Sequence, residues 1–247
     1  MPSTDKPLSV TGVADAAPID VKPQPDRLYG RQRGHPLRAR QQRLLEAALP
    51  RLSLDPALPL RAAFGADVSD VFLEIGFGGG EHAEGQAALN PQVGYIASEV
   101  FENGLCSLLS RLVPEGEEET ASPPLRFRIW GEDARVLLRQ LPDASLGRVY
   151  LMFPDPWPKA RHAKRRFVHP ANLGEVARVL RPGGIWRIAS DDPTYQAWVN
   201  DVMEAQDLFA RVDLSEGVRP EGWSPTRYEA KAIREERVPF YWTFMRR

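Results

Sequence analysis

Apolar positions along the chain fall into short runs from Val71 onward, namely Val71–Ile75, Gly94–Ser98, Leu125–Trp130, Val149–Phe153 and Gly184–Ala189. Each is strand-length and is separated from the next by a segment long enough for a helix. That alternation predicts an α/β fold with a mostly parallel sheet covered on both faces by helices. Upstream, Leu45 and Leu49 recur at helical spacing within 38–49, and Pro50 is expected to stop that helix. At the far end, Val238–Arg246 has strand-like apolar density and is expected to add an antiparallel edge strand.

Residues 1–25 are rich in Pro, Asp, Ser and Ala and poor in large apolar side chains, so they are expected to form a flexible tail. Residues 26–247 are then one domain with a basic extension over 26–65. Four glutamates at 115, 117, 118 and 119 predict an exposed acidic loop before the third strand.

Composition adds bounds. The 247 residues are 43% apolar and 26% charged, as in a globular protein. No apolar run reaches the roughly 18 residues of a membrane span, and no secretory signal opens the chain, so a soluble, cytoplasmic protein is expected. Cys106 is the single cysteine and is expected to be a buried small hydrophobe. His35, His82, His162 and His169 lack metal-ligand spacing, so no metal is expected. Total charge is nearly balanced at −1, but its distribution is uneven. Lys22, Arg27, Arg31, Arg33, Arg38, Arg40, Arg43 and Arg51 face only Asp26 and Glu46 in their segment, and Lys159, Arg161, Lys164, Arg165 and Arg166 face no acid in theirs. Two basic patches of this kind are the footprint that phosphates require.

The first strand runs into Glu74-Ile75-Gly76-Phe77-Gly78-Gly79-Gly80, a glycine-rich turn that opens a helix. Such a turn alone suits a structural bend or a nicotinamide site equally well. A carboxylate at Glu74 would repel a pyrophosphate and suits a ligand carrying an ammonium, such as the methionine part of S-adenosylmethionine. Glu99 ends the second strand, where an acid accepts ribose hydroxyls. Asp133 follows the third strand, where it either caps a helix or accepts from an adenine amine. After the fourth strand, Asp155 lies between Pro154 and Pro156, which limit its freedom. Trp157 there either stacks on a base or packs, and the following cations either contact phosphates or form a solvated face.

These segments, with Leu73–Gly78, Pro154–Lys159, Arg161–Arg166, Ala189–Asp191 and Thr226–Glu229, resemble the bacterial tRNA (guanine-N7-)-methyltransferase family over roughly Tyr29 to Arg246. The resemblance implies a Rossmann-like, seven-stranded class I methyltransferase fold and methylation of guanine 46 in the tRNA variable loop. It implies that Glu74, Gly76, Gly78, Glu99, Asp133 and Asp155 bind S-adenosylmethionine and that Asp155 is catalytic. It also assigns Lys159, Asp191, Thr226, Arg227, Tyr228 and Glu229 to substrate, and the reading of the basic run adds Arg161, Lys164, Arg165 and Arg166. The chain departs from the pattern at Pro158, where His is frequent, and at Asp192, where an aromatic is common. Independently, Thr226 and Glu229 have the spacing of a helix capping box. A small-molecule methyltransferase of this fold and a non-catalytic RNA-binding domain are the competing expectations. A tRNA partner and a monomer or homodimer complete the picture.

Overall fold

The computed structural model describes Gln24 and residues 27–247, so the expected tail over 1–25 lies, Gln24 apart, outside the described residues. Seven strands form one sheet in the order β3-β2-β1-β4-β5-β7-β6. β1 (Val71–Ile75), β2 (Gly94–Ser98), β3 (Phe127–Trp130), β4 (Leu146–Met152) and β5 (Leu180–Ser190) are parallel, and β7 (Phe240–Arg246) runs antiparallel to both β5 and β6 (Phe209–Glu216). The C-terminal strand is thus antiparallel as expected but lies second from the edge. Its Tyr241, Trp242 and Phe244 are all buried, which requires cover on both faces and a neighbour on each side.

Helices α1 (Ala39–Arg43), α2 (Leu49–Leu52), α3 (Glu81–Leu89), α4 (Glu102–Leu112), α5 (Ala134–Gln140), α6 (Pro170–Val179), α7 (Pro193–Glu204) and α8 (Arg227–Arg234) complete the architecture. Buried side chains form two layers. Leu73, Ile75, Val149 and Leu151 alternate into one with α5 and α6, while Phe72, Tyr95, Tyr150 and α4 fill the other.

Pro50 does not end the first helical run. Leu44–Ala48 form a π turn, with the Leu49 N–H bonded to the Leu44 carbonyl, and α2 continues to Leu52. The wider turn spares the proline ring the clash it would meet in a regular α-helix, where its missing N–H would also break the ladder. From there the chain reaches the β3 edge, where Leu54 N–H donates to Ile129 O at 2.8 Å.

The acidic loop is not merely solvated. Glu118 is only 3% exposed and pairs with Arg40 at 2.8 Å and Arg43 at 3.8 Å, and Arg51 donates to Thr120 O. One carboxylate of the run therefore anchors the basic extension, while Glu115, Glu117 and Glu119 remain exposed. Cys106 is buried as expected, and burial beside Glu102 pushes its thiol up to about 11. No helix among the described residues is long and apolar enough to cross a membrane.

Candidate active site

A cavity of about 390 Å³ opens at the C-terminal ends of β1, β2 and β4, the crevice that open parallel sheets reserve for ligands. Its floor is the glycine turn. Gly76, Gly78 and Gly80 adopt φ of +73°, +60° and +88°, the left-handed region in which a Cβ is strained. At Gly78 a Cβ would also lie 2.8 Å from the Tyr228 ring, so glycine is required there twice over.

Glu99 lines one wall. Its Oε2 accepts from Gly78 N–H at 2.8 Å and its Oε1 from the N–H groups of Val100 and Phe101 at 2.8 and 3.0 Å. Burial pushes this carboxyl upward, and the three backbone donors act against that rise. Asp133 lines the wall nearby and caps α5 by accepting from Arg135 N–H at 2.9 Å. The Arg135 guanidinium also grips both Asp133 oxygens, at 3.1 Å through Nε and 2.6 Å through Nη2.

Glu74 is placed differently from expectation. Strand alternation turns it off the cavity wall into the opposite layer, where it is 1% exposed. Its Oε2 meets His82 Nδ1 at 2.8 Å and accepts from Tyr95 Oη at 2.6 Å, and its Oε1 has no partner among the described residues. The carboxylate underlies the glycine turn rather than facing the cavity.

On the other side, Phe153-Pro154-Asp155-Pro156-Trp157 forms the rim. Phe153 and Trp157 hold φ of +50° and +45°, so two non-glycine residues in the left-handed region flank Asp155. Such conformations cost about 1–3 kcal/mol each and persist only where the surroundings impose them. Arg166 supplies that imposition. It is 4% exposed, donates to Pro156 O and Trp157 O at 3.0 Å each, and rests on the Trp198 ring. Its expected phosphate contact is therefore corrected: Arg166 clamps the loop because the rim's carbonyls, not solvent, surround it. Asp155 faces the cavity, and partial loss of water raises its carboxyl above the ordinary value.

The remaining cations of the run divide. Lys159, just before the 3₁₀ turn Ala160–Arg165, and Arg161 on it are exposed and Lys164 is half-buried, with no ion pair among the described residues. His162 sits among them, and burial together with Arg165, Arg161, Lys159 and Lys164 holds its imidazole below its usual range. Arg165 lines the cavity mouth.

The C-terminal candidates separate in the same way. Tyr228, at the start of α8, lines the cavity, and Arg227 beside it is exposed. Thr226 and Glu229 form the capping box, with Glu229 N–H donating to Thr226 Oγ1 at 2.9 Å. Glu229 is buried, bonded to Tyr241 Oη at 2.6 Å and Arg219 at 2.8 Å, and Asp191 is paired with Arg237 at 2.6 Å. None of these three lines the cavity. They hold α8, and so Tyr228, against the sheet.

Leu28, Tyr29, Gly30 and Arg31 of the basic extension also line the cavity, a role that sequence reasoning missed. The segment is fixed by Arg27 O accepting from Arg135 at 2.7 Å and Gln32 O accepting from Glu102 N–H at 2.9 Å. A lone tyrosine between arginines was the available signal.

Comparison with known proteins identifies the family. The family described as "Putative methyltransferase" matches residues 69–241. The tRNA (guanine-N(7)-)-methyltransferase of Granulibacter bethesdensis is 64% identical over 230 residues, covering 93% of this chain and 99% of that protein. Its namesake from Rhodospirillum rubrum is 45% identical, covering 92% and 90%. Among solved structures, the 16S rRNA methyltransferase KamB aligns with TM-score 0.52 at 17% identity over 72% of this chain and 88% of that one, a likeness of fold. Shared sequence across nearly the whole length, on a class I methyltransferase sheet, makes this chain a member of the tRNA (guanine-N(7)-)-methyltransferase family.

Proposed function

We propose that this protein transfers a methyl group from S-adenosylmethionine to N7 of a guanine in tRNA, and that the target is guanine 46 of the variable loop. The observation that carries the reading is the juxtaposition, around one cavity, of a ribose-type acceptor at Glu99 with a rigid Asp155 rim that continues into cations with no ion pair among the described residues. The residues present fit the cofactor. Glu99 Oε2 accepts one N–H and retains capacity for a ribose hydroxyl, and the glycine turn, with the buried Glu74 carboxylate beneath it, permits close approach. Asp133 lines the same cavity and is assigned to the adenine end.

When bound, S-adenosylmethionine supplies a methyl group on a positively charged sulfur. Guanine N7 carries a lone pair and no proton, so the protein need not abstract one, and catalysis rests on positioning and electrostatics. The purine becomes cationic as the methyl arrives, and its N1–H and N2–H groups become stronger donors. Asp155, facing the cavity, accepts from that edge and favours the charged product-like state over the neutral ground state. Lys159, Arg161 and Lys164 hold backbone phosphates, and Tyr228 closes the wall over Gly78. A small-molecule substrate would leave that run of cations without a purpose. We place the reaction in the cytoplasm, where tRNA is found.

The test is acceptor choice. Wild-type protein with methyl-labelled S-adenosylmethionine should label total tRNA and leave GTP and short guanine-containing oligonucleotides unlabelled. Labelling of the small acceptors alone would contradict the reading.

A further inference from the structure

Tyr29, Trp157 and Arg165 meet at the cavity mouth in an arrangement that hydrogen bonding does not explain. The Arg165 guanidinium lies over the Trp157 ring at 4.7 Å from its centroid and over the Tyr29 ring at 5.2 Å. Its Nε is buried and has no acceptor among the described residues, an unfavourable state for a guanidinium N–H. What holds it there is the affinity of two aromatic faces for a planar cation. The rings are not loosely placed. Trp157 is locked in a left-handed conformation by Arg166 and has the His162 ring edge-on at 5.8 Å, and Tyr29 has a second cation, Arg27, at 5.1 Å.

We propose that Tyr29 and Trp157 form the seat for the target guanine, and that Arg165 occupies this seat in the free protein and vacates it for an RNA phosphate. The inference rests on the guanine-N7 reading above. A guanidinium and an N7-methylated guanine are both flat, delocalised cations, whereas guanine itself is neutral. A seat that accepts the first also favours the second, and its attraction grows as positive charge develops on the purine. It therefore binds the transition state more strongly than the ground state. Arg165 must leave, because a cation kept against the base would oppose that charge. The adjoining Lys164 and Arg161 mark the phosphate path it would join. Tyr29 thereby becomes a positioning residue supplied by the N-terminal extension.

The probes are the free nucleosides 7-methylguanosine and guanosine, in mildly acidic buffer where the methylated purine keeps its charge. By calorimetry, Arg165→Ala should bind 7-methylguanosine about tenfold more tightly than guanosine, as expected for cation–aromatic attraction. Adding Tyr29→Leu should erase that preference. In the unaltered enzyme, 7-methylguanosine should inhibit tRNA methylation at lower concentration than guanosine, and Tyr29→Leu alone should lower kcat more than it raises KM. Equal affinity for the two nucleosides, a preference that survives Tyr29→Leu, or equal inhibition of wild type would overturn the proposal. A wild-type protein that methylates no tRNA would refute the functional reading instead, and the titrations would still decide whether the seat prefers a cationic purine.

Discussion

Glu99 and Gly78 are joined across the cavity floor by a 2.8 Å bond from the Gly78 N–H to Glu99 Oε2, which ties the end of β2 to the turn after β1. The same oxygen is the one proposed to accept a ribose hydroxyl. Glu99→Gln should therefore disturb both partners, since an amide presents a donor where two donors already converge. S-adenosylmethionine affinity should fall about ten- to a hundredfold, the usual worth of a charge-assisted hydrogen bond, as read by calorimetry. Unchanged affinity would remove Glu99 from the cofactor site.

Gly78→Ala tests the turn. The left-handed backbone alone should cost about 1–2 kcal/mol, and the new methyl must also displace the Tyr228 ring. Gly78→Ala combined with Tyr228→Ala should recover the contact part of the loss and leave the backbone part. Thermal melts of both variants measure the split.

The basic run should divide by substitution as it does in space. Arg166→Ala leaves the Pro156 and Trp157 carbonyls without their donor and should lower stability by about 2–3 kcal/mol with little change in the salt dependence of tRNA binding. Replacing Lys159, Arg161 and Lys164 together by Ala should leave the melting temperature nearly unchanged and reduce the salt slope by up to about three. The reverse outcome would exchange their roles.

This division shows where sequence reading stops. Arg165 and Arg166 are neighbours of identical chemistry, and only the fold decides that one meets aromatic faces and the other two carbonyls. Glu118 is likewise indistinguishable from Glu117 until Arg40 arrives from the extension. β6 escaped because an edge strand with exposed Val212 offers no clean alternation. The five parallel strands were legible because each is a short apolar run buried on both faces, although β4 and β5 begin earlier than their apolar centres indicate. The acids at strand ends were found by position, but position alone did not show that Glu74 turns away from the cavity.

Glu118 gives a pH signature. Arg40 beside it holds its carboxyl below the ordinary carboxylate value, so its folded-state pKa is depressed. The stability it contributes is complete above the ordinary value and is lost as pH falls through the depressed one. Glu118→Gln should lower the melting temperature at neutral pH, and the two melting curves should converge in acid. Parallel curves at all pH values would mean that the ion pair contributes nothing.

Asp155 gives a second pH signature. Its carboxyl is raised by desolvation, and only the ionised form can favour a cationic purine. The acid limb of kcat should therefore begin at a higher pH than for an ordinary aspartate, and no group titrating near neutrality should be required. Asp155→Asn should lose that limb and reduce kcat by about one to three orders of magnitude at saturating tRNA and cofactor. Wild-type turnover in this variant would leave Asp155 a loop-shaping residue.

The central claim is the atom that receives the methyl group. Transfer RNA lacking its modifications, incubated with the protein and isotopically labelled S-adenosylmethionine, can be digested and its nucleosides resolved by mass spectrometry, with position read from partial digests. The account predicts a single labelled 7-methylguanosine per tRNA, located in the variable loop. Label on another base, or on guanine at N1 or N2 rather than N7, would contradict it.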